Sequence, residues 1–160
     1  MHQVEQPAEL AFRALLRTSG LVARIMQPYF ARFGISGSQW GVLRTLQRAE
    51  SEGLARLRLT DLSDRLIVRP PSITGVVDRL ERLGYVGRTS STTDLRSKEV
   101  RLTEPGRELV NRILKGHTAQ IATLMNGLPA DDQLHLRSLL DRLDCHLEHM
   151  LHFNPERGEP

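Results

Sequence analysis

Three features of the sequence predict a mainly α-helical chain built around a winged helix-turn-helix. Residues 60–103 read as helix, tight turn, helix, then a two-stranded hairpin with a long polar tip. Leu-rich stretches with a three- and four-residue apolar period flank that segment on both sides. Aromatic residues make up only 4% of the chain while Leu is abundant, a balance that favours helix. The expected fold is thus a winged helix-turn-helix with a small β-hairpin wing, bracketed by N- and C-terminal helices. At 160 residues there is room for one or one and a half domains and a real core.

Ala8 to Phe30 carries a helical period. Phe12, Leu15, Leu16, Ser19, Val22, Ala23 and Met26 form one apolar stripe, with Arg13, Arg17 and Arg24 off it. Pro28 is expected to bend or end the last turn, and Gly34 to stop the helix. Ser36-Gly37-Ser38-Gln39 reads as a capping box opening a helix that buries Trp40, Leu43 and Leu46 and closes at Glu50–Gly53. Leu57 and Leu59 alternate with Arg56 and Arg58, a short strand able to edge the later hairpin.

Thr60 is the expected N-cap of a helix to about Ile67 that buries Leu62 and Leu66, with Asp61 near the positive end of its dipole. Val68-Arg69-Pro70 is the turn. The next helix is expected from Pro71 to about Leu83, because a missing amide hydrogen costs nothing in a first turn. Ile73, Val76, Val77, Leu80 and Leu83 face inward; Ser72, Thr74, Gly75, Asp78, Arg79 and Arg82 lie outward or on the flanks, and Gly84 stops the helix. Tyr85–Arg88 and Glu99–Leu102 can pair as strands, with Val100 and Leu102 on the packed face. The tip, Thr89 to Ser97, has five Ser/Thr in a row and almost nothing to bury, so it is expected to move until bound.

Thr103 caps a long helix with Pro105 in its first turn. Val110, Leu114, His117, Ile121, Leu124 and Leu128 form a near-heptad seam, the mark of helix–helix contact. Leu128-Pro129 breaks it, and a last helix from Ala130 aligns Leu136, Leu139, Leu140, Leu143, Leu147 and Met150. The tail, 154–160, is expected to fray.

The net charge is only +3, but it is unevenly spread. Residues 1–59 carry 8 Lys+Arg against 4 Asp+Glu, residues 60–103 carry 8 against 6, and residues 104–160 carry 6 against 9. A protein that holds a polyanion with its middle and pairs with itself through its ends has this distribution. The single cysteine, Cys145, excludes an intramolecular disulfide. The start has no apolar leader and no later run reaches membrane-spanning length, so a cytoplasmic chain with no membrane partner is expected.

A helix that reads a DNA groove needs short side chains at its N-terminal end and longer cations further along, to reach phosphates. Ser72, Thr74 and Gly75 suit the first role, and Arg79 and Arg82 the second. The plain alternative is a solvated helix face. On the hairpin tip, Arg96 and Lys98 stand beyond the Ser/Thr run with Asp94 two residues before Arg96. An arginine on such an arm is the usual probe of a narrow minor groove, and Asp94 can orient its guanidinium.

The stretch from Ser72 to Val86 resembles the recognition helix and first wing strand of the MarR family, the multiple-antibiotic-resistance type of regulators. Asp94-Leu95-Arg96 is similar to their wing motif, Val100 to Gly106 to the wing-to-helix junction, and Gln39 to Leu43 to their second helix. The resemblance runs from about Leu10 to Leu151. It implies a dimeric DNA-binding regulator, usually a repressor, whose terminal helices build the dimer and whose reading heads respond to small aromatic acids or phenols. On that reading residues 1–34 are a dimerisation helix, 35–103 the DNA-binding domain and 104–153 the C-terminal dimerisation helices. The implied DNA-contacting set is Arg69, Pro71, Ser72, Thr74, Gly75, Arg79, Asp94, Arg96 and Lys98. Two departures stand out. Where the family often caps its recognition helix with Ser or Thr, this chain has Arg69 before Pro70-Pro71, which points to phosphate rather than base contacts; and the segment Ala49 to Arg58 is long.

The remaining chemistry is sparse. Thiol sensors of the family keep their cysteine near the first helix, which has none here, so Cys145 reads as an inert thiol. His146, His149 and His152 can share a helix face but lack a ligand set, so neither metal nor cofactor is expected. Trp40 reads as core, or alternatively as the wall of an effector pocket with Arg17 as carboxylate anchor; His117 reads as an interface histidine or as part of that pocket. No Ser-His-Asp pattern, nucleotide loop or paired carboxylates can be placed, so an enzyme is not expected. Two further readings stay open: a winged-helix protein-interaction module without DNA binding, and a metal- or thiol-responsive regulator of the same fold.

Overall fold

A computed structural model describes residues 6–66, 69, 71–90 and 98–152. Along the chain run α1 (Pro7–Ala31), α2 (Gly37–Ser51), β1 (Leu57–Arg58), α3 (Leu59–Arg65), α4 (Ile73–Arg82), β2 (Val86–Ser90), β3 (Lys98–Leu102), α5 (Glu104–Met125) and α6 (Ala130–His152). The strands form one antiparallel sheet in the order β1-β3-β2. Helices α3 and α4 followed by the β2–β3 hairpin make the winged helix-turn-helix. The chain divides into two compact units, residues 1–117 and 118–160, with the boundary inside α5.

In the first unit the core gathers around α2. Val42, Leu43 and Leu46 of α2, Leu62 of α3, Val77 and Leu80 of α4, Val100 and Leu102 of β3 and Leu109, Val110 and Ile113 of α5 are all but fully buried. The capping box of α2 is complete: Gln39 N–H donates to Ser36 Oγ at 3.2 Å and Ser36 N–H donates to Gln39 Oε1 at 2.8 Å. Only the C-terminal end of α1 joins this core, through Met26, Tyr29 and Phe30. The apolar stripe expected along α1 is otherwise exposed at Phe12, Leu15, Leu16 and Val22. Pro28 lies inside the helix without ending it.

Three expectations about the helix-turn-helix need correction. Thr60 does not cap α3: the helix begins one residue earlier, behind an extended Arg58, and the Thr60 hydroxyl meets Asp61 Oδ1 instead. Pairing of Leu57 with Val100 and Arg58 with Glu99 ends the strand at the point where the helix begins. Nor does α4 start at Pro71. Ser72 is extended and its hydroxyl accepts from Gly75 N–H at 3.1 Å, so this helix has the hydroxyl cap that Arg69 seemed to replace. Leu83, expected inside, is 49% exposed, because the helix has already ended at Arg82.

The C-terminus of α4 closes as a Schellman motif. Tyr85 N–H donates to Leu80 O and Gly84 N–H to Glu81 O, at 3.0 and 2.9 Å. That geometry puts Gly84 at φ +76°, where a side chain is strained. Gly53 ends α2 in the same way, at φ +87°. The hairpin strands each reach further toward the tip than the alternation implied: Val86 to Ser90 pair with Leu102 to Lys98 in strict register. Residues 91–97, which hold Asp94 and Arg96, lie outside the described residues, as do Ile67, Val68, Pro70 and the tail from 153.

Two polar junctions join the wing to the long helix. Thr103 Oγ1 donates to Gly84 O at 2.6 Å and accepts from Gly106 N–H at 3.1 Å, capping α5 as expected. Arg107 then grips Glu50 of α2 with two bonds, at 2.8 and 3.0 Å, and donates to Glu104 and the Leu102 carbonyl.

In the second unit, Gln133 Nε2 donates to the carbonyls of Met125 and Leu128 and so holds the turn between α5 and α6. The apolar row of α6, Leu136, Leu139, Leu140, Leu143, Leu147 and Met150, is exposed throughout.

Candidate nucleic-acid interface

Helix α4 buries one face and offers the other. Val76, Val77 and Leu80 are inside, which turns Thr74, Arg79 and Arg82 to solvent. At its N-terminal end Pro71 and Ser72 are exposed and precede the helix rather than open it. Ser72 Oγ accepts the Gly75 amide, and its own proton can still be donated. A Cβ on Gly75 would come within 3.3 Å of that hydroxyl, so the small residue keeps the cap tight as well as the surface low. Arg69 is exposed and pairs with Asp64 at 3.0 Å; both ends are well solvated, so the pair is worth little. Lys98 stands exposed at the start of β3. Positions 69, 71, 72, 74, 75, 79 and 98 thus all belong to the helix-turn-helix or the wing beside it.

Arg88 was not singled out by the sequence pattern. From β2 it reaches across to α4, with Nη1 at 2.6 Å from Asp78 Oδ1 and 3.5 Å from Glu81 Oε2. The only sequence signal was a cation at an inward position of a strand, beside Val86.

The expected ligand residues do not all come together. Trp40 and His117 do: their rings lie 5.2 Å apart within a nest completed by Phe30, stacked on Trp40 at 5.7 Å, and Tyr29. Tyr29 donates its hydroxyl proton to Ile113 O at 2.5 Å, and burial raises its pKa. Arg17 lies thirteen residues before Phe30 on the same helix, about 20 Å along its axis at 1.5 Å per residue, so it does not reach this nest in its own chain. The nearby cations include Arg32, over the Tyr29 ring at 4.9 Å, and Arg44 of α2, which donates to Gln47 Oε1. Cys145 is exposed on α6, as are His146 and His149.

Burial, and then the Arg44 cation, hold the His117 imidazole below its usual 6.5. The unfolded chain therefore takes up this proton first. Stability present above pH 6.5 is lost as pH falls through that value toward the lower folded-state pKa. Melting temperature is expected to fall between pH 7 and pH 5, and to fall less steeply in His117→Gln. Parallel melting profiles for the two proteins would exclude this role.

Among the described residues no helix is long and apolar enough to cross a membrane. The sequence model described as MarR family matches residues 33–97, a stretch that holds α2, β1, α3, α4 and β2. The HTH-type transcriptional repressor YetL of Bacillus subtilis is 31% identical over 122 residues, covering 76% of this chain and 71% of that protein. The HTH-type transcriptional regulator PecS of Dickeya dadantii is 28% identical over 138 residues, covering 86% and 82%. In fold, the chain is similar to a mutant MarR of Escherichia coli complexed with operator DNA, with a TM-score of 0.77 at 22% identity over 88% of this chain and 98% of that one. This chain therefore belongs to the MarR family of winged helix-turn-helix transcriptional regulators, and is a DNA-binding protein rather than an enzyme.

Proposed function

We propose that the chain acts as a homodimeric repressor on an inverted-repeat operator. Each copy lays α4 in a major groove and reaches the neighbouring minor groove with Arg96, the half-sites lying about one helical turn, ~10 bp, apart. The observation that carries this is the exposed, small-residue N-terminal end of α4, with Ser72, Thr74 and Gly75 followed by the exposed Arg79 and Arg82. Terminal helices whose leucines are exposed in one copy support the dimer, because a second copy would cover them. YetL of Bacillus subtilis is a transcriptional repressor, and the fold neighbour from Escherichia coli is complexed with operator DNA.

The experiment is a mobility-shift titration over a range of salt. Arg96→Ala and Arg79→Ala are each expected to weaken operator binding by roughly ten- to a hundredfold. Affinity should fall steeply with salt as phosphate contacts release counterions. A flat salt dependence, or unchanged affinity in both variants, would favour a protein-interaction module instead.

Release by a small aromatic effector belongs to the same proposal. Its support is the Trp40–His117 nest with Arg44 beside it, an apolar wall with a cation suited to a carboxylate or phenolate. Arg17 remains a candidate only from the exposed surface of α1.

A further inference from the structure

Arg88 sits where the sheet should be apolar. It follows Val86 by two residues and lies opposite Val100, so it points to the packed side of the ladder. Val86 and Val100 are buried, and the Arg88 side chain is itself only 16% exposed. A guanidinium there is costly to desolvate unless counter-charges meet it. They come from α4: Asp78 at 2.6 Å, Glu81 at 3.5 Å and, at its first turn, the Thr74 carbonyl, which accepts from Arg88 Nη2 at 3.4 Å. One side chain of the wing therefore holds the helix at its first turn, its middle and its last turn.

The charges matter as much as the grip. Asp78 comes one turn after Thr74 and one turn before Arg82, so it shares their outward face. A carboxylate at that place faces the phosphates of any duplex the helix approaches, and like charges across an interface repel. Its pairing with Arg88 cancels that repulsion.

We propose that Arg88 is a positioning residue for operator recognition: it locks α4 to the wing at one angle through Asp78, Glu81 and the Thr74 carbonyl and offsets the charge of Asp78, without itself touching the duplex. This rests on the reading of α4 as the groove-reading helix. A phosphate contact and a positioning contact differ in what they move. Losing a phosphate contact weakens binding to all sequences alike and lowers the salt slope by about one. Losing a positioning contact weakens the specific site far more than random sequence, where only the repulsion of the uncovered Asp78 carboxylate is felt.

The test uses the full chain and two probes, a duplex selected by the wild-type protein from a random library and an unselected random duplex. Arg88→Ala is expected to weaken the selected site on the order of 10- to 100-fold, and the random duplex by less than about threefold, with the salt slope unchanged. Adding Asp78→Asn to Arg88→Ala should recover part of the loss, because the uncancelled carboxylate goes. Arg88→Lys should fall between, since an ammonium cannot make the same planar set of bonds. Equal losses on both duplexes with a shallower salt slope, or no loss on the selected site, would overturn the proposal. If Arg88→Ala melts below the assay temperature, Asp78→Asn with Glu81→Gln tests the clamp from the helix side. Selected-site affinity must then fall although the protein has become more positive, and a rise would overturn it. Arg79→Ala, run in parallel, separates the two readings. If it leaves the selected site untouched, α4 is not the reading helix; if it weakens the site while Arg88→Ala does not, only the clamp is wrong.

Discussion

A chain carrying Leu140→Glu and Leu143→Glu is expected to run as a monomer and to bind operator on the order of 10² to 10⁴ times more weakly. The argument starts from exposure. Leu136, Leu139, Leu140, Leu143, Leu147 and Met150 of α6 are apolar, recur at helical spacing and are exposed, and the row of α1 from Leu10 to Ile25 is in the same state. Folded proteins rarely leave such continuous patches to water. Each leucine covered is worth about 1.5–3 kcal/mol, and a two-fold dimer counts every position twice. Four carboxylates introduced into one such interface remove that gain and add unpaired buried charge. None of these residues belongs to the core around Leu43, Leu62, Leu80 and Leu109, so the winged helix-turn-helix should keep its own fold. Operator affinity falls because the second half-site no longer binds as an intramolecular event. Sedimentation and a mobility-shift titration check it. A variant that remains a dimer at the parent's concentration range sinks the assignment of α6 to the interface.

Gly106→Ala is expected to destabilise the protein by about 3 kcal/mol or more and lower its melting temperature by roughly 6–12 °C. A Cβ at Gly106 overlaps the Tyr85 carbonyl oxygen and lies 3.0 Å from its carbon, with Leu102 Cδ2 at 3.4 Å. The obstacle is backbone, so it cannot swing aside as a side chain would. That backbone is also committed: Tyr85 O accepts from Thr103 N–H, and Tyr85 N–H closes the end of α4. Relief of the clash must therefore shift the end of α4, the base of the wing or the first turn of α5. Circular dichroism melts at equal protein concentration check this, since the proposed dimer would make the melting temperature concentration-dependent. A melting temperature within about 1 °C of the parent would show that the junction gives at little cost.

Local signals carried most of the fold. Ser36 and Gln39 form their box within four residues, and Gly84 takes the left-handed turn that ends α4, so neither needs a distant partner. The outward face of α4 followed from its period because Val76, Val77 and Leu80 alone define the inside. The start of α3 is misplaced because a remote contact outweighs a local preference, and the start of α4 because two local signals compete. Thr60 is a better cap than Arg58 by residue type, yet pairing of β1 with β3 set the start of α3. Pro70-Pro71 has the residue type of a helix start, yet the Ser72 hydroxyl next to it holds the first turn.

Composition, periodicity and capping residues were thus enough to determine a winged helix-turn-helix between two leucine-lined terminal helices, because each of those signals acts over a single turn or strand. The pairing of Arg88 with Asp78 and Glu81 needs the hairpin to fold back on α4, and the meeting of Trp40 with His117 needs α5 to return to α2. Only the tertiary structure decided those contacts, since what joins their partners is the burial of a shared core and not their distance along the chain.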